Sequence, residues 1–397
     1  MRALKTALLV VLLVLAFVGA YAIVARLQAD DVPGLSGTAA AQLSPLQREV
    51  IGDLQRYYYR AIDVKTLEQV GAKAQQTSVG ALLKTLNDPY TEYMSPDQTR
   101  LFSENTKGTY SGVGAVLQKK DGKLEVTSVI QGSPAAEAKI RPGDAIVDVD
   151  DKPTADEPLD VSISRIKGKP GTQVHLSIRR QGVAGLIELT LTRREISFPL
   201  TRSRLIDDKG TKVGYVQLYE FSSGAADKVR AAADRLERRG AQYFVLDLRY
   251  NGGGLLDEGV NVAGDFLSGD PVVVTTSGLH SPKEVFRASG EPATTLPMVV
   301  LVNHWTASAS EIVSGALQDY HRAEIVGTTT YGKGLVQNVL SLPGGASLKL
   351  TTAVYLTPSG KNINHEGIHP SIVVKDDLKT KQDEVLRRAL QFIAAGR

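Results

Sequence analysis

The stretch Tyr243-Phe-Val-Leu-Asp-Leu-Arg249, followed by Asn251-Gly-Gly-Gly254, decides the fold class of this chain. Its pattern predicts a buried strand that enters a glycine-rich loop, and residues 256–267 then have the pattern of a helix. A strand, a loop and a helix in this order are typical of an α/β core. Such a loop also presents several free backbone N–H groups that can bind a developing oxyanion. A tight turn without any chemistry explains the glycines equally well.

Strands and helices alternate on both sides of this stretch, from about residue 213 to residue 374. Gly214-Tyr-Val-Gln-Leu218 has the pattern of a strand, and residues 224–239 have the pattern of a helix. Leu335-Val-Gln-Asn-Val-Leu340 has the pattern of a later strand. The sequence therefore predicts a multidomain α/β protein with a mixed α/β core.

A serine and a lysine in this region form a candidate catalytic pair. Ser308 lies in Thr306-Ala-Ser-Ala-Ser-Glu311, and Lys333 lies between two glycines in Gly332-Lys-Gly334. A serine hydroxyl is a poor nucleophile at neutral pH, and a buried, neutral lysine can remove its proton. Two other interpretations stay open. Ser308 and Glu311 match the capping box of a helix, and most lysines are solvated surface residues.

A different chemistry competes for the same lysine. Gly327-Thr-Thr-Thr-Tyr-Gly332-Lys333 matches the first seven positions of a phosphate-binding P-loop, but the next position is glycine rather than Ser or Thr. The segment after it has a strand pattern, whereas a P-loop opens a helix. Nucleotide binding is therefore the disfavoured alternative.

Composition and the N-terminal sequence set the wider class of protein. The 397 residues carry a net charge of +3 from 46 basic and 43 acidic side chains, which gives no basic field for nucleic acid. The sequence has no cysteine, so disulfides and thiol catalysis are excluded. Met1-Arg-Ala-Leu-Lys5 precedes an uncharged apolar run over residues 6–25. That run predicts an export signal or an uncleaved membrane anchor, and its length favours the anchor.

The region between this segment and the core has two parts. Residues 43–86 show apolar side chains at helical intervals, which predicts a helical packing or dimer-forming region. From Gly108 onward the pattern becomes a strand, a hairpin, a short helix from Gly132, a Pro-Gly turn and further strands, with a longer helix over residues 156–166. This ordered set resembles a PDZ domain. The resemblance implies that an extended chain end binds at Gly112, Val113 and Gly114.

Several ordered blocks together resemble the carboxy-terminal processing peptidases, also called tail-specific proteases. The blocks are Tyr110-Ser-Gly-Val-Gly-Ala115, Asp247-Leu-Arg-Tyr-Asn-Gly-Gly-Gly-Leu-Leu256, Thr306-Ala-Ser-Ala-Ser-Glu-Ile312, Gly315-Ala-Leu-Gln-Asp319, Gly332-Lys-Gly-Leu-Val-Gln337, and Thr357-Pro-Ser-Gly360 with Gly367-Ile-His-Pro370. The resemblance covers the chain from the helical region to the last strand. It implies a serine endopeptidase whose core is similar to those of crotonase and ClpP.

The resemblance also assigns roles to residues. It makes Ser308 the nucleophile, Lys333 the general base and Gln337 the residue that holds the lysine. The oxyanion donors it implies are the backbone N–H groups of Gly252 or Gly253, and of Ala309. No metal or cofactor is implied. Two positions depart from the family pattern: Trp305 stands where a small residue is usual, and Gly252 stands where proline is common.

The combined prediction is a peptidase that cleaves the C-terminal tails of exported proteins. Its expected segments are a signal peptide or anchor (1–29), a helical N-terminal region (43–107), a PDZ β-barrel domain (108–195), a peptidase core (196–375) and a C-terminal helix (376–397). The expected partners are polypeptides with free C-terminal tails, the membrane through the N-terminal segment, and a second copy in a homodimer or higher oligomer, but no nucleic acid. The expected location is the periplasmic or extracytoplasmic side of the membrane. The alternative is a catalytically silent PDZ scaffold that only binds peptides.

Overall fold

The computed structural model describes residues 41–73, 79–120, 122–155, 157–197, 199–375 and 382–395. The predicted signal or anchor segment (1–29), and residues 376–381 and 396–397 of the predicted C-terminal segment, lie outside the described residues. Among the described helices, none is both long and apolar enough to cross a bilayer.

The helices with at least four residues alternate with strands along much of the chain. They are α1 (Pro45–Tyr57), α2 (Val64–Lys73), α3 (Val79–Lys84), α4 (Pro96–Thr106), α5 (Pro134–Glu137), α6 (Leu159–Ile166), α7 (Ala225–Arg238), α8 (Leu256–Gly264), α9 (Ala309–Asp319) and α10 (Glu384–Ala394).

The strands form the sheets of two compact units. They are β1 (Glu92–Met94), β2 (Thr109–Gly112), β3 (Ala115–Lys120), β4 (Lys123–Val129), β5 (Ala145–Val149), β6 (Lys152–Pro153), β7 (Gln173–Arg179), β8 (Ile187–Thr192), β9 (Arg194–Ser197), β10 (Thr201–Asp208), β11 (Thr211–Leu218), β12 (Tyr243–Asp247), β13 (Val272–Ser277), β14 (Glu284–Arg287), β15 (Met298–Val302), β16 (Ala323–Gly327), β17 (Leu335–Ser341), β18 (Ser347–Leu356) and β19 (Ile372–Val373).

The first compact unit combines segments that are distant in sequence. It contains the described residues between 41 and 99 together with residues 274–285 and 334–364. Helix α1 begins with a formed capping box between Ser44 and Gln47. Its apolar face, with Val50 and Leu54, packs into one core with Leu348 of β18, because the helical spacing of these residues places them on one side.

The second unit contains the described residues of the ranges 100–273, 286–333 and 365–395, and it includes two separate sheets of six strands. In one, β3, β4, β5, β7 and β8 follow in order and β6 pairs with β5, which closes a core around Val126, Val174 and Leu176. In the other, the order is β10-β11-β12-β15-β16-β19. Its strands β11 to β19 are parallel, and β10 is the antiparallel edge. Parallel pairing follows from the helices that connect successive strands.

Some predicted bounds were wrong at their ends, and local stereochemistry gives the reasons. Helix α6 begins at Leu159 rather than residue 156, because Pro158 is extended at the N-cap and disfavours helical backbone before it. Helix α7 begins at Ala225, because Gly224 has a left-handed φ of 84°. Strand β12 ends at Asp247 instead of Arg249, and α8 ends at Gly264 instead of residue 267.

Candidate active site

A buried asparagine connects the glycine loop after β12 with the loop before α9. Asn251 is fully buried, and its Nδ2 donates to the Leu218 carbonyl at 2.9 Å. Its own carbonyl accepts from the Ala307 N–H and from the Ser310 hydroxyl, both at 3.0 Å. The Asn251 carbonyl therefore fixes these two loops against each other, and its side chain binds the glycine loop to the end of β11.

Glycine is required at position 253 by close approach as well as by backbone conformation. Gly253 has a φ of 97°, which side chains rarely adopt. A Cβ atom there would lie 2.7 Å from the Ser308 Cβ and 2.9 Å from the Ala309 nitrogen. The glycine loop consequently touches the residue that the sequence predicts as nucleophile.

Ser308 occupies the N-cap of α9 in a strained backbone conformation. Its φ is 58° and its ψ is −117°, and only 5% of the residue is exposed. A non-glycine residue in this region costs free energy, and such outliers cluster at functional sites. The position also receives the positive end of the α9 dipole. Both features suit a nucleophile, although neither defines one alone.

Glu311 bonds to the backbones of both predicted catalytic residues. It is fully buried, and its Oε2 accepts from the Ser308 N–H at 2.8 Å and from the Lys333 N–H at 2.9 Å. Its Oε1 accepts from the Gly332 N–H at 2.7 Å and from the Thr330 hydroxyl. Four donors satisfy this buried carboxylate, which is what its burial requires. The capping interpretation is thus compatible with the catalytic one, since the glutamate that caps the helix also accepts from the lysine loop.

The surroundings of Lys333 argue against a P-loop. Lys333 is half-buried, and the segment after it is the strand β17 rather than a helix. A P-loop needs a helix N-terminus to bind phosphate, so the fold removes the nucleotide-binding alternative. Gln337 lies in the first compact unit, after a bulge between Val336 and Gln337. Its buried Nε2 has no hydrogen-bond partner within the described part of the chain.

The predicted oxyanion donors differ in whether their N–H groups are engaged. The Gly253 N–H donates to Asn251 Oδ1 at 2.9 Å. For the N–H groups of Gly252 and Ala309, the described residues offer no hydrogen-bond partner. Of the two glycines, Gly252 is therefore the one whose N–H has no bond among the described residues. A donor that is already bonded stabilises an oxyanion poorly.

The second predicted site is a groove beside the turn that follows β2. Gly114 has a φ of 83°, and a Cβ there would lie 2.2 Å from the Ser133 Cβ, so only glycine fits. The carbonyls of Val113 and Gly114 accept from the N–H groups of Ala135 (2.8 Å) and Ile130 (2.9 Å), which fixes the turn. The adjoining groove has a volume of about 230 Å³, and its mostly apolar lining is Asn105, Tyr110, Gly112, Val113, Gly114, Ala115, Val116, Leu117, Ile163, Ile166 and Lys167.

Lys167 is a groove residue that the sequence did not reveal. Its Nζ lies 5.4 Å from the centre of the Tyr110 ring, in cation–π contact. Burial raises the pKa of Tyr110 to about 12, so its hydroxyl stays neutral. Lys167 directly follows α6, and its position beside the glycine turn depends on the packing of that helix.

No group of three or more His, Asp or Glu residues in the described ranges is arranged to hold a metal ion.

Comparison with known proteins identifies the family. Residues 212–374 match the profile of peptidase family S41, and residues 125–180 match that of the PDZ domain. The chain is 40% identical over 322 residues to the carboxyl-terminal-processing protease of Synechocystis sp., which covers 80% of this chain and 75% of the relative. The chain belongs to peptidase family S41.

Other members of the family and a solved structure agree with this assignment. The carboxy-terminal processing protease CtpA of Bacillus subtilis is 35% identical over 316 residues, covering 80% of this chain and 65% of that protein. The structure of the photosystem II D1 C-terminal processing protease superposes with a TM-score of 0.55 at 29% identity, covering 86% of this chain and 96% of that one. The chain is accordingly a serine-type S41 peptidase with a PDZ domain and a mixed α/β core.

Proposed function

We propose that this S41 peptidase binds the free C-terminal tail of a polypeptide in its PDZ groove and cleaves that polypeptide with Ser308 and Lys333. The observation that carries the proposal is the Glu311 carboxylate, which accepts from the backbone N–H groups of Ser308 and Lys333. Two loops that are distant in sequence are thereby fixed at one point. This arrangement supports a dyad, because a nucleophile and its base must be held in register.

The reaction proceeds through an acyl-enzyme. Neutral Lys333 takes the proton of the Ser308 hydroxyl, and the serine oxygen attacks the peptide carbonyl. The N–H groups of Gly252 and Ala309 stabilise the tetrahedral oxyanion, a contribution of about 3 kcal/mol for one donor in other enzymes. The protonated lysine returns its proton to the leaving amine, and water then releases the acyl group. The role proposed for Gln337, which is to orient the lysine side chain, rests on the family resemblance of its sequence block.

The groove binds the tail by adding it as an extended strand. The tail carboxylate lies at the turn of Gly112, Val113 and Gly114, and the Lys167 ammonium supplies a positive charge. The apolar lining of the groove supports a preference for apolar side chains near the chain end.

A cleavage assay tests the dyad. We expect Ser308→Ala and Lys333→Ala to abolish cleavage of an unfolded, tail-bearing protein, as measured by mass spectrometry, while both variants still bind it. Ser314→Ala is the matched control, because its hydroxyl bonds to the Ser310 carbonyl inside α9. Because the base must be deprotonated, wild-type activity should rise toward alkaline pH through one ionisation. Cleavage by either dyad variant would refute the assignment.

We also propose that the core has the crotonase- and ClpP-like architecture and that residues 108–195 and 196–375 are the PDZ and peptidase domains. The parallel sheet with its connecting helices supports this division. The basic and apolar sequence of residues 1–25 supports export with an N-terminal membrane anchor. Fractionation and protease accessibility of the full chain test the location, and a purely cytoplasmic, soluble pool would contradict it.

A further inference from the structure

Three loops that meet at the proposed active site each carry an exposed aromatic residue just before a proposed catalytic position. Tyr250 precedes Gly252 by two residues, Trp305 precedes Ser308 by three, and Tyr331 precedes Lys333 by two. The exposed fractions are 61% for Tyr250, 62% for Trp305 and 46% for Tyr331. Large aromatic side chains usually bury most of their surface, so exposure of all three at one place calls for a partner.

Hydrogen bonds hold these loops together, so the aromatic residues form one surface. Asn303 Oδ1 accepts from the N–H groups of both Tyr250 (3.1 Å) and Trp305 (3.0 Å). The Thr306 carbonyl accepts from the Tyr331 N–H at 3.0 Å. The backbones of the three loops are therefore joined through residues 303 and 306.

A histidine ring connects two members of the surface. The His304 ring centre lies 5.7 Å from that of Trp305, at an edge-on angle of 64°, and 5.8 Å from that of Tyr331. These distances are typical of attractive aromatic contacts. We call Tyr250, His304, Trp305 and Tyr331 the aromatic surface.

We propose that the aromatic surface binds a bulky apolar side chain of the polypeptide substrate, next to the bond that is cleaved. The inference rests on the proposed function, because the substrate backbone must cross the loops of Gly252, Ser308 and Lys333 to be cut. A rigid aromatic surface at that crossing gains free energy when an apolar side chain covers it, and a polar or acidic side chain gains little. Trp305 makes the largest contribution, since it has the largest ring and the greatest exposed fraction.

Trp305 is the only tryptophan of the chain, so its fluorescence reports on this surface alone. The experiment uses full-length Ser308→Ala protein and tryptophan-free peptides that share one C-terminal tail. One peptide carries leucine or phenylalanine on both sides of the cleaved bond, and the other carries serine. We expect the apolar peptide to shift the emission to shorter wavelength at saturation, because the indole loses water. The serine peptide should bind through its tail without this shift.

Cleavage kinetics provide the second readout. For the apolar peptide, Trp305→Ala should lower kcat/KM about tenfold, which corresponds to the upper end of the free energy of an aromatic contact. Trp305→Phe should keep most of the wild-type kcat/KM. For the serine peptide, both variants should match the wild type. Tyr57→Ala is the control, because Tyr57 is an exposed aromatic residue (39%) of α1, outside the three loops.

Each contrary result has a distinct meaning. If the wild type cleaves the apolar peptide but saturation leaves the emission unchanged, the inference is wrong and the proposed function stands. If the emission shifts with protein concentration and no peptide is present, a second copy covers the surface and the inference is again wrong. If the emission shifts but the wild type cleaves neither peptide, the surface binds apolar side chains, but the proposed function fails, and with it the placement of this surface beside a cleaved bond.

Discussion

At the scale of single residues, Glu311 has the most connected position in the site. Capping alone requires one bond from a glutamate to the N-cap N–H, yet this carboxylate also accepts from Thr330, Gly332 and Lys333. The carboxylate is buried and cannot bond to water, so these protein donors supply the hydrogen bonds that it needs. If Ser308 and Lys333 react as proposed, Glu311 is a positioning residue, because it acts on the reaction through the loops that it holds.

Replacement of this carboxylate should slow catalysis more than it weakens tail binding. Glu311→Gln keeps the size of the side chain but turns one acceptor oxygen into an NH₂ donor that faces other donors. An unsatisfied buried donor costs about 1–3 kcal/mol, so we expect kcat to fall by about 5- to 160-fold. KM for a tail peptide should change little, since the PDZ groove is untouched.

Steady-state kinetics with Glu324→Gln as the control test this expectation. Glu324 lies on β16 and accepts from Ser371, so its replacement changes the charge of the unit without touching the catalytic loops. Equal losses in the two variants would show that Glu311 contributes only to general stability.

At the scale of elements, the proposed catalytic residues lie at strand ends and helix N-termini. The glycine loop follows β12, and Ser308 caps α9. Arg249, two residues after the end of β12, binds Asp247 and makes two bonds of 2.8 Å to Asp383, the N-cap of α10. Burial alone would raise the pKa of Asp383, but the bonds from Arg249 and from the Leu386 N–H hold that pKa below its usual value. The geometry of the glycine loop thus depends on a helix that is distant in sequence.

The affinity of the PDZ groove for a tail peptide should depend on the charge at the C-terminus of that peptide. A tail peptide with a C-terminal amide should bind about tenfold more weakly than the free acid, because it loses charge-assisted bonds at the glycine turn. Lys167→Met should weaken binding of the free acid but leave the amide peptide unchanged. Calorimetric titration of both peptides against both proteins measures the coupling. Equal affinities for acid and amide would contradict tail-carboxylate recognition.

At the scale of the whole molecule, two buried carboxylates of the second unit contribute to its stability with opposite signs. Asp144 is 1% exposed and binds Arg180 through two bonds of 2.8 and 2.7 Å; burial opposes its charge, but the guanidinium outweighs burial and lowers its pKa. Asp265 is 2% exposed, and burial raises its pKa to about 7. The side chain of its partner Arg230 is 40% exposed, so this ion pair offsets only part of the desolvation.

These opposite shifts predict opposite pH effects on the free energy of unfolding. An aspartate in the unfolded chain ionises near pH 4. The folded Asp265 keeps its proton up to about pH 7. Its contribution to the free energy of unfolding therefore falls as the pH rises from about 4 to about 7. Asp265→Asn should remove this loss. The free energy of unfolding of the variant, compared with that of the wild type, should therefore be about 2–4 kcal/mol higher at pH 8 than at pH 4.

Asp144→Asn is the matched comparison with the reverse sign. The lowered pKa of Asp144 gives stability above pH 4 that is lost as the pH falls through the folded pKa. The variant should therefore be less stable than the wild type at pH 7 and approach it in acid. Urea denaturation at several pH values measures both series. Parallel pH curves for the two variants would refute the opposite signs.

The sequence by itself determined the order of elements, the PDZ and peptidase regions and the Ser308 and Lys333 candidates, because hydrophobic period, glycine placement and short motifs are local properties. Only the tertiary structure decided which of the two glycine N–H groups has no hydrogen-bond partner among the described residues, that Glu311 accepts from the loops of both Ser308 and Lys333, and that Lys167 lines the groove. These facts depend on contacts between segments far apart in the chain. Local sequence patterns do not predict such contacts, because the contacts form only when packing brings the loops within hydrogen-bond distance.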